Sequence, residues 1–404
     1  MTNVAILGFG VVGSGVAEVL KRNGPHIDAK VHAPVELKYI LDVRDFPDSP
    51  FAEFIVHDFS VIENDPDVNV VVETIGGAKI AKEFTERALR AGKSVVTSNK
   101  ELVAEHGYEL MRLAQEHGAC YLYEASVGGG IPIIRPLKQC LAANEITEIC
   151  GILNGTTNYI LTRMIRAGLS FQDALKEAQQ NGYAEQDPTA DIEGHDACRK
   201  ICILASLAFG RHIYPAQVPT EGITGVTLAD VAYAESCGRK IKLLGRAIQG
   251  EDGKVRAFVA PHLVHGEAPL AGVEDVFNAI AVKGNAIGDV MFYGRGAGKL
   301  PTASAVVADV MDAARNADRP KYLDWGPGGE DVTVPPEDVS SPWYVRADAA
   351  ADQIRSAFSE PAFLARAGAP AGETAFLTRS MTRGELMEKL EGLQPRSVFR
   401  ILEN

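Results

Sequence analysis

The stretch Asn3-Val-Ala-Ile-Leu-Gly8-Phe9-Gly10-Val11-Val12-Gly13-Ser-Gly-Val16 decides how the rest of the chain is read. A short apolar run ends on glycine, and from Val11 to Lys21 the apolar residues recur at helical spacing, which predicts strand, tight turn, helix. In a G-x-G-x-x-G loop the first glycine makes the turn, the second lets a pyrophosphate reach the backbone, and the third lets helix pack against strand. The helix then turns its free N-terminal amides toward the phosphates. Gly8, Phe9, Gly10, Val11, Val12 and Gly13 are therefore candidate dinucleotide-binding residues, with a purely structural glycine turn as the alternative.

Outward from this loop, apolar runs at 37–43, 68–73, 94–98 and 119–124 alternate with helical patterns at 78–91 and 101–117. Such alternation predicts an α/β domain with a parallel sheet and right-handed crossovers. Past Ile133 the character changes. Amphipathic patterns at 136–143, 156–167, 171–181 and 192–209 mix with strand-like alternation at 145–151, 240–248 and 255–264, which predicts an α+β domain around one mixed sheet. Tyr293-Gly-Arg-Gly-Ala-Gly298 interrupts the pattern, and 302–314 reads as one long helix. Residues 317–342 are polar and rich in Pro and Gly, the composition of a linker. Beyond them, 343–345, 350–358, 373–378, 382–393 and 397–402 predict a small module of strands and helices.

A chain of 404 residues exceeds one ordinary hydrophobic core, so two or three domains are expected. With 46% hydrophobic and 23% charged residues it has a globular composition, and no run of about 18 apolar residues suggests a membrane span. A net charge of -13 argues against a nucleic-acid partner, since phosphate binding needs a cationic face. No signal-peptide pattern precedes the first strand, so the expected location is cytoplasmic. The six cysteines lack C-x-x-C pairs and are expected to be reduced thiols.

Ligands of doubly wound sheets bind at the carboxyl ends of the strands, so chemistry is sought there. At the end of the second strand, Asp42 suits the free ribose hydroxyl of NAD and Arg44 the 2′-phosphate of NADP, leaving the dinucleotide open. Thr97-Ser98-Asn99-Lys100 places a cation near the nicotinamide crevice, and Glu124-Ala-Ser-Val127-Gly-Gly-Gly-Ile131-Pro132 ends another strand with permissive backbone. The densest polar cluster runs from Asn181 through Glu185, Asp191 and Asp196 to Lys200. Asp196 and Lys200 are one helical turn apart, so a carboxylate and an ammonium share one face and could orient a polar substrate and move a proton. The competing reading is a solvated ion pair at a helix N-terminus.

Taken in order, Gly8 to Gly13, Thr97 to Lys100, Tyr123 to Pro132, Gly151-Ile-Leu-Asn-Gly-Thr-Thr-Asn158, Gly182-Tyr-Ala-Glu-Gln-Asp-Pro188, Asp196-Ala-Cys-Arg-Lys200 and Gly294-Arg-Gly-Ala-Gly298 resemble the homoserine dehydrogenases from residue 3 to about 316. The resemblance implies reversible reduction of L-aspartate 4-semialdehyde to L-homoserine with NADPH or NADH, in threonine, methionine and isoleucine biosynthesis. It implies that Lys200 is the catalytic lysine, that Lys100 lies near cofactor and substrate, and that Glu185, Asp191 and Asp196 meet the substrate. Arg44 and Gly298 join the glycine loop as cofactor residues. Glu124, with the carbonyls of Val127, Gly129 and Ile131, matches a monovalent-cation site for Na+ or K+ in a structural role. A homodimer or higher homo-oligomer, with no nucleic-acid or membrane partner, is also implied.

The expected layout is a Rossmann dinucleotide-binding domain in 1–132 and 299–318, a catalytic and dimerisation domain in 133–298, a linker in 319–341, and a small α+β ACT-like module in 342–404. That module departs from its family pattern at Ala347-Asp-Ala-Ala-Ala-Asp-Gln353, which lacks the usual Pro-Gly before the first helix, so weak or absent inhibition by threonine is expected. Two rival functions remain: a related amino-acid dehydrogenase, and a non-catalytic nucleotide or amino-acid sensor. A sensor has no need of a proton donor such as Lys200.

Overall fold

Strand β1 (Thr2–Leu7) is buried along its whole length, as a parallel strand covered on both faces must be, and this is why its sequence is nearly continuous in apolar residues. The computed structural model describes residues 1–317 and 322–403. Its chain divides into two units: Met1–Glu145 with Cys202–Pro215 and Gly294–Gly329, and Ile146–Ile201 with Ala216–Tyr293 and Glu330–Asn404.

In the first unit β1 pairs with β2 (Val35–Leu41) on one side and β4 (Val68–Glu73) on the other. With β3 (Ile55–Val56), β5 (Ser94–Thr97) and β6 (Tyr121–Leu122) they make, among the described residues, a parallel sheet of order β3-β2-β1-β4-β5-β6. This is the doubly wound order, and it puts the reversal of strand order between β1 and β4. Helices α1 (Val11–Val31), α2 (Phe59–Glu63), α3 (Lys79–Arg90) and α4 (Lys100–Glu116) fill the crossovers. Helix α1 runs ten residues past Lys21 despite Gly24 and Pro25, because Ile27 and Val31 are buried and Asp28 accepts from the Val35 amide at 2.9 Å. Tertiary packing outweighs the local breakers.

Among the described residues, the second unit is built on a nine-stranded sheet. Strands β7 (Ile146–Ile152), β8 (Arg239–Gln249), β9 (Val255–His265), β10 (Phe277–Gly284) and β11 (Gly288–Arg295) form one part. Strands β13 (Trp343–Asp348), β14 (Ala362–Leu364), β15 (Glu373–Leu377) and β17 (Pro395–Leu402) form the other, and the order is β11-β10-β7-β8-β9-β17-β13-β15-β14. Short strands β12 (Ser340–Ser341) and β16 (Met381–Thr382) make a separate ribbon. Helices α5 (Gly155–Ala167), α6 (Phe171–Gln180), α7 (Thr189–Ile192), α8 (His195–Phe209), α9 (Leu228–Ser236), α11 (Ala351–Ala357) and α12 (Arg383–Lys389) complete the elements used below, with α10 (Lys299–Arg315) and the part of α8 from Cys202 onward counted in the first unit.

The tail strands do not form a sheet of their own. β17 pairs in parallel with β9 through Arg400, Ile401 and Leu402, so the tail and the middle of the chain share one sheet. A buried ion cluster adds to that joint. Arg346 on β13 donates from Nε to Asp230 Oδ1 at 2.8 Å and from Nη1 to Glu373 Oε2 at 3.1 Å, while the Tyr344 hydroxyl donates to Asp230 Oδ1 at 2.9 Å. Asp230 belongs to α9, where it also closes a capping box with Thr227.

Three sequence expectations change here. Strands β10 and β11 and helix α9 were not foreseen, the pattern at 136–143 shrinks to a single π-helical turn at Pro136–Cys140, and part of the expected linker is packed. Leu323 and Trp325 are buried, with the Trp325 indole N–H donating to His212 Nδ1 at 2.9 Å. Two large apolar side chains in a Pro and Gly-rich segment suffice to dock it. The expected boundary residues 318–321 lie outside the described residues.

Candidate active site

Within the first unit the glycine loop has the geometry its sequence requires. Gly8 ends β1 at φ +88°, a region open to glycine, and a Cβ on Gly13 would overlap the Gly8 carbonyl oxygen. Gly15, which the motif does not include, lets α10 approach, since a Cβ there would lie 2.9 Å from the Lys299 carbonyl oxygen. Gly10, the N-cap of the 21-residue helix α1, offers no side chain to its first amides, the arrangement in which a helix N-terminus receives an anion. Such a cradle fits a dinucleotide pyrophosphate. Gly298 precedes α10 at φ +126°, again a glycine-only conformation.

At the end of β2 the two rival residues bind each other. Arg44 donates from Nε to Asp42 Oδ1 at 3.0 Å and from Nη2 to Asp42 Oδ2 at 3.1 Å, and Asp42 Oδ2 also accepts the Phe9 amide at 2.8 Å. The Arg44 hydrogen bond, assisted by the Phe9 amide, outweighs partial burial and holds the Asp42 carboxyl at about 2.

The loop after β6 is tied down by a buried acidic side chain. The Glu124 carboxylate accepts the amides of Ile133, Ile134 and Arg135 at 2.7, 2.9 and 2.9 Å and the Arg135 side chain at 3.1 Å. With four N–H donors on it, this carboxylate acts as a staple for the loop. Val127, Gly129 and Ile131 remain in that loop, with Gly129 at φ +54° because a Cβ would meet the Gly296 carbonyl. The two glycine runs noted in the sequence, 128–130 and 294–298, therefore pack on one another, and the Gly130 amide donates to the Arg295 carbonyl at 3.2 Å. Among the described residues there is no cluster of His, Cys, Asp and Glu able to hold a metal, and no helix is long and apolar enough to cross a membrane.

Within the second unit Asp196 and Lys200 form a buried pair, not a solvated one. Lys200 is 8% exposed and Asp196 4%, and Lys200 Nζ donates to Asp196 Oδ2 and to the Leu153 carbonyl, both at 2.7 Å. Asn154 adds the connection that the sequence did not disclose. Its Oδ1 caps α5 by accepting the Thr157 amide at 2.8 Å, while its Nδ2 donates to Asp191 Oδ1 at 2.6 Å and Asp196 Oδ2 at 2.8 Å. Burial, then the charge of Asp196, raises the Asp191 carboxyl above its usual range. An Asn heading an apolar helix was a legible cap signal; its reach to both carboxylates was not.

Glu185 belongs to the same second unit. Its residue is exposed in the loop before α7, and its carbonyl accepts from Gln179 Nε2 at 3.1 Å. Lys100 is the first residue of α4, half-buried, behind the cap that Asn99 makes with the Leu102 amide at 3.0 Å.

Comparison with known proteins bears on both units. A family model described as "Homoserine dehydrogenase, NAD binding domain" matches residues 8–124, and one described as "Homoserine dehydrogenase" matches 132–311. The chain is 42% identical to a homoserine dehydrogenase of Neisseria gonorrhoeae over 358 residues, covering 86% of this chain and 82% of the relative. It is similar to the crystal structure of a homoserine dehydrogenase from Thiobacillus denitrificans, with a TM-score of 0.91 and 34% identity over 100% of this chain and 98% of that one. A hyperthermophilic archaeal homoserine dehydrogenase in complex with NADPH matches with a TM-score of 0.66 and 30% identity, over 77% of this chain and 97% of that one.

Proposed function

The chain belongs to the homoserine dehydrogenase family, an oxidoreductase that interconverts L-aspartate 4-semialdehyde and L-homoserine with a nicotinamide cofactor, and from that premise we propose that Lys200 is its proton donor and acceptor. The observation that carries this assignment is the buried Lys200–Asp196–Asn154–Asp191 cluster. The sensor reading is not favoured.

When bound, the nicotinamide supplies or accepts the hydride. The chain's own work is to handle the proton and hold the substrate. Lys200 Nζ is fixed by two acceptors, Asp196 and the Leu153 carbonyl, which is the preorganisation a general acid needs to meet a developing alkoxide. In the oxidative direction the same nitrogen takes the hydroxyl proton. Asp191 and Asp196 offer carboxylates to the substrate ammonium, with Asn154 setting their spacing. Glu185, exposed on the loop before α7, is assigned as a further carboxylate for the substrate. Lys100, at the head of α4, is assigned to cofactor and substrate. No step uses a monovalent cation, and any such ion would rest on the carbonyls of Val127, Gly129 and Ile131 without the Glu124 carboxylate.

Because Arg44 and Asp42 neutralise one another, neither imposes a dinucleotide, and we assign dual use: kcat/KM for NAD and NADP within about tenfold, equivalent to roughly 1.4 kcal/mol. Steady-state homoserine oxidation with each dinucleotide, with and without threonine, tests the whole reading. Absence of turnover with both would sink it. The fused tail sheet and the missing Pro-Gly lead to weak or no threonine inhibition, and a low-micromolar inhibition constant would overturn that point. A homodimer through the second unit is supported by the edge strand β11, where Met291 and Tyr293 are exposed; a one-chain mass by light scattering would contradict it.

A further inference from the structure

Glu73, the last residue of β4, has no part in the assignments above, yet it is completely buried at the carboxyl end of a central strand. Its Oε1 accepts the Ile75 amide at 2.7 Å and its Oε2 accepts the Thr97 hydroxyl at 2.5 Å. The same Thr97 oxygen accepts the Asn99 amide at 2.9 Å, so the Thr97 proton is committed to Glu73. Asn99 then spans the gap between the two loops. Its Nδ2 donates to the carbonyls of Ile75 and Gly77 at 3.2 and 2.8 Å, and its Oδ1 caps α4 in front of Lys100. Next along β4, Thr74 donates from Oγ1 to the carbonyls of Leu7 and Gly8, both at 2.9 Å, at the start of the glycine loop.

We propose that the Glu73 carboxylate is a positioning residue that holds Lys100 in its working place through Thr97 and Asn99. It rests on the assignment of Lys100 to cofactor and substrate. The logic is one of donors and acceptors. Ile75 N–H and Thr97 O–H both point donors at Glu73, an arrangement that the ionised carboxyl satisfies with two acceptors. Protonation removes one acceptor, so the Thr97 hydroxyl must either turn away or accept from the carboxylic acid, and the Glu73–Thr97 link behind Asn99 changes its donor sense.

Burial pushes the Glu73 carboxyl up to about 7, against the hydrogen bonds of Thr97, Ile75 and Asn99 that favour its charge. The titratable group that faces it from β6 is Tyr121, itself raised by burial and by the Glu73 charge. Helix α10, packed against β4 and β5, carries Asp309, which is paired with Arg135, and α4 begins with Lys100. The working form is thus lost as pH falls through about 7, which gives kcat/KM an acid limb near neutrality.

The test is steady-state kinetics from pH 5.5 to 9 on E73Q, T97V, T97S and K100A, and on E73Q/K100A, each checked by thermal melting. E73Q and T97V should lower kcat by roughly 10- to 100-fold at pH 8, the scale of a small misplacement, and should flatten the acid limb. T97S, which keeps the hydroxyl, should behave as wild type. In the K100A background E73Q should add less than about twofold, because a positioning group has nothing left to position. Full multiplicative losses in the double variant, or an unchanged acid limb in a folded E73Q, would overturn the proposal while leaving Lys100 in place. A fully active K100A would overturn both this proposal and the assignment of Lys100.

Discussion

Replacing Lys200 by alanine is expected to lower kcat for homoserine oxidation by roughly 10²- to 10⁴-fold, the usual worth of a positioned general acid or base. Dinucleotide affinity should stay within about twofold of wild type, because the glycine loop and α1 belong to the first unit and the Lys200 cluster to the second, each with its own hydrogen bonds. Fluorescence titration with NADPH alongside turnover separates the two effects. Loss of both together would point to misfolding and withdraw the role given to Lys200. The control is needed because the substitution leaves Asp196 buried with one fewer donor, although Asn154 still reaches it at 2.8 Å. Asp196→Asn should lower turnover in the same direction, since Lys200 Nζ would keep only the Leu153 carbonyl as a firm acceptor.

The largest effect on stability should come from Arg346→Ala. Arg346 is 5% exposed and is bound by Asp230, Glu373, Thr227 and Ser397, with Asp230 at 0%. Removing it strands Asp230 in the interior, and breaking a buried pair in this way costs about 3–5 kcal/mol. Against the 5–15 kcal/mol that typically holds a domain folded, that is a large share. Denaturant unfolding should show the drop at unchanged m-value. Glu373 is less exposed to the loss, since Arg366 also donates to it at 2.6 Å. A change below about 1 kcal/mol would mean that the tail is held by the β9–β17 pairing and its apolar core of Trp343, Phe376 and Leu386, with the ions contributing little. The double variant Arg346→Met with Asp230→Leu should lose less than Arg346→Ala alone, because no uncompensated charge remains at that position.

Much of the first unit was legible before any coordinates. Strand β1, the glycine loop and the alternation through Glu116 follow from periods of 2 and 3.6 and from glycines whose Cβ would collide, all of which act over a few residues. The second unit was less so. Strand β11 lies on an edge where Asp289, Met291, Tyr293 and Arg295 are all exposed, so no buried apolar face announces it, whereas β10 was missed although Ala279, Ile280 and Val282 are buried. The tail was read as a small module of strands and helices, without β14 at Ala362–Leu364, and nothing local says that β17 will pair with β9 across more than a hundred residues.

The same division runs through the site. Sequence by itself determined the cofactor loop, the family, and the pairing of Asp196 with Lys200 on one helical face, because each depends on neighbours within about one turn or on ordered motifs. Tertiary structure alone decided that this pair is buried and that Asn154 joins it to Asp191 from 37 residues away. It also decided that the Glu124 carboxylate serves its own loop and that Arg44 closes on Asp42. The reason is common to all of them. Burial and hydrogen-bond partners are set by which distant backbone groups packing brings within about 3 Å, and residue spacing along the chain carries no record of that.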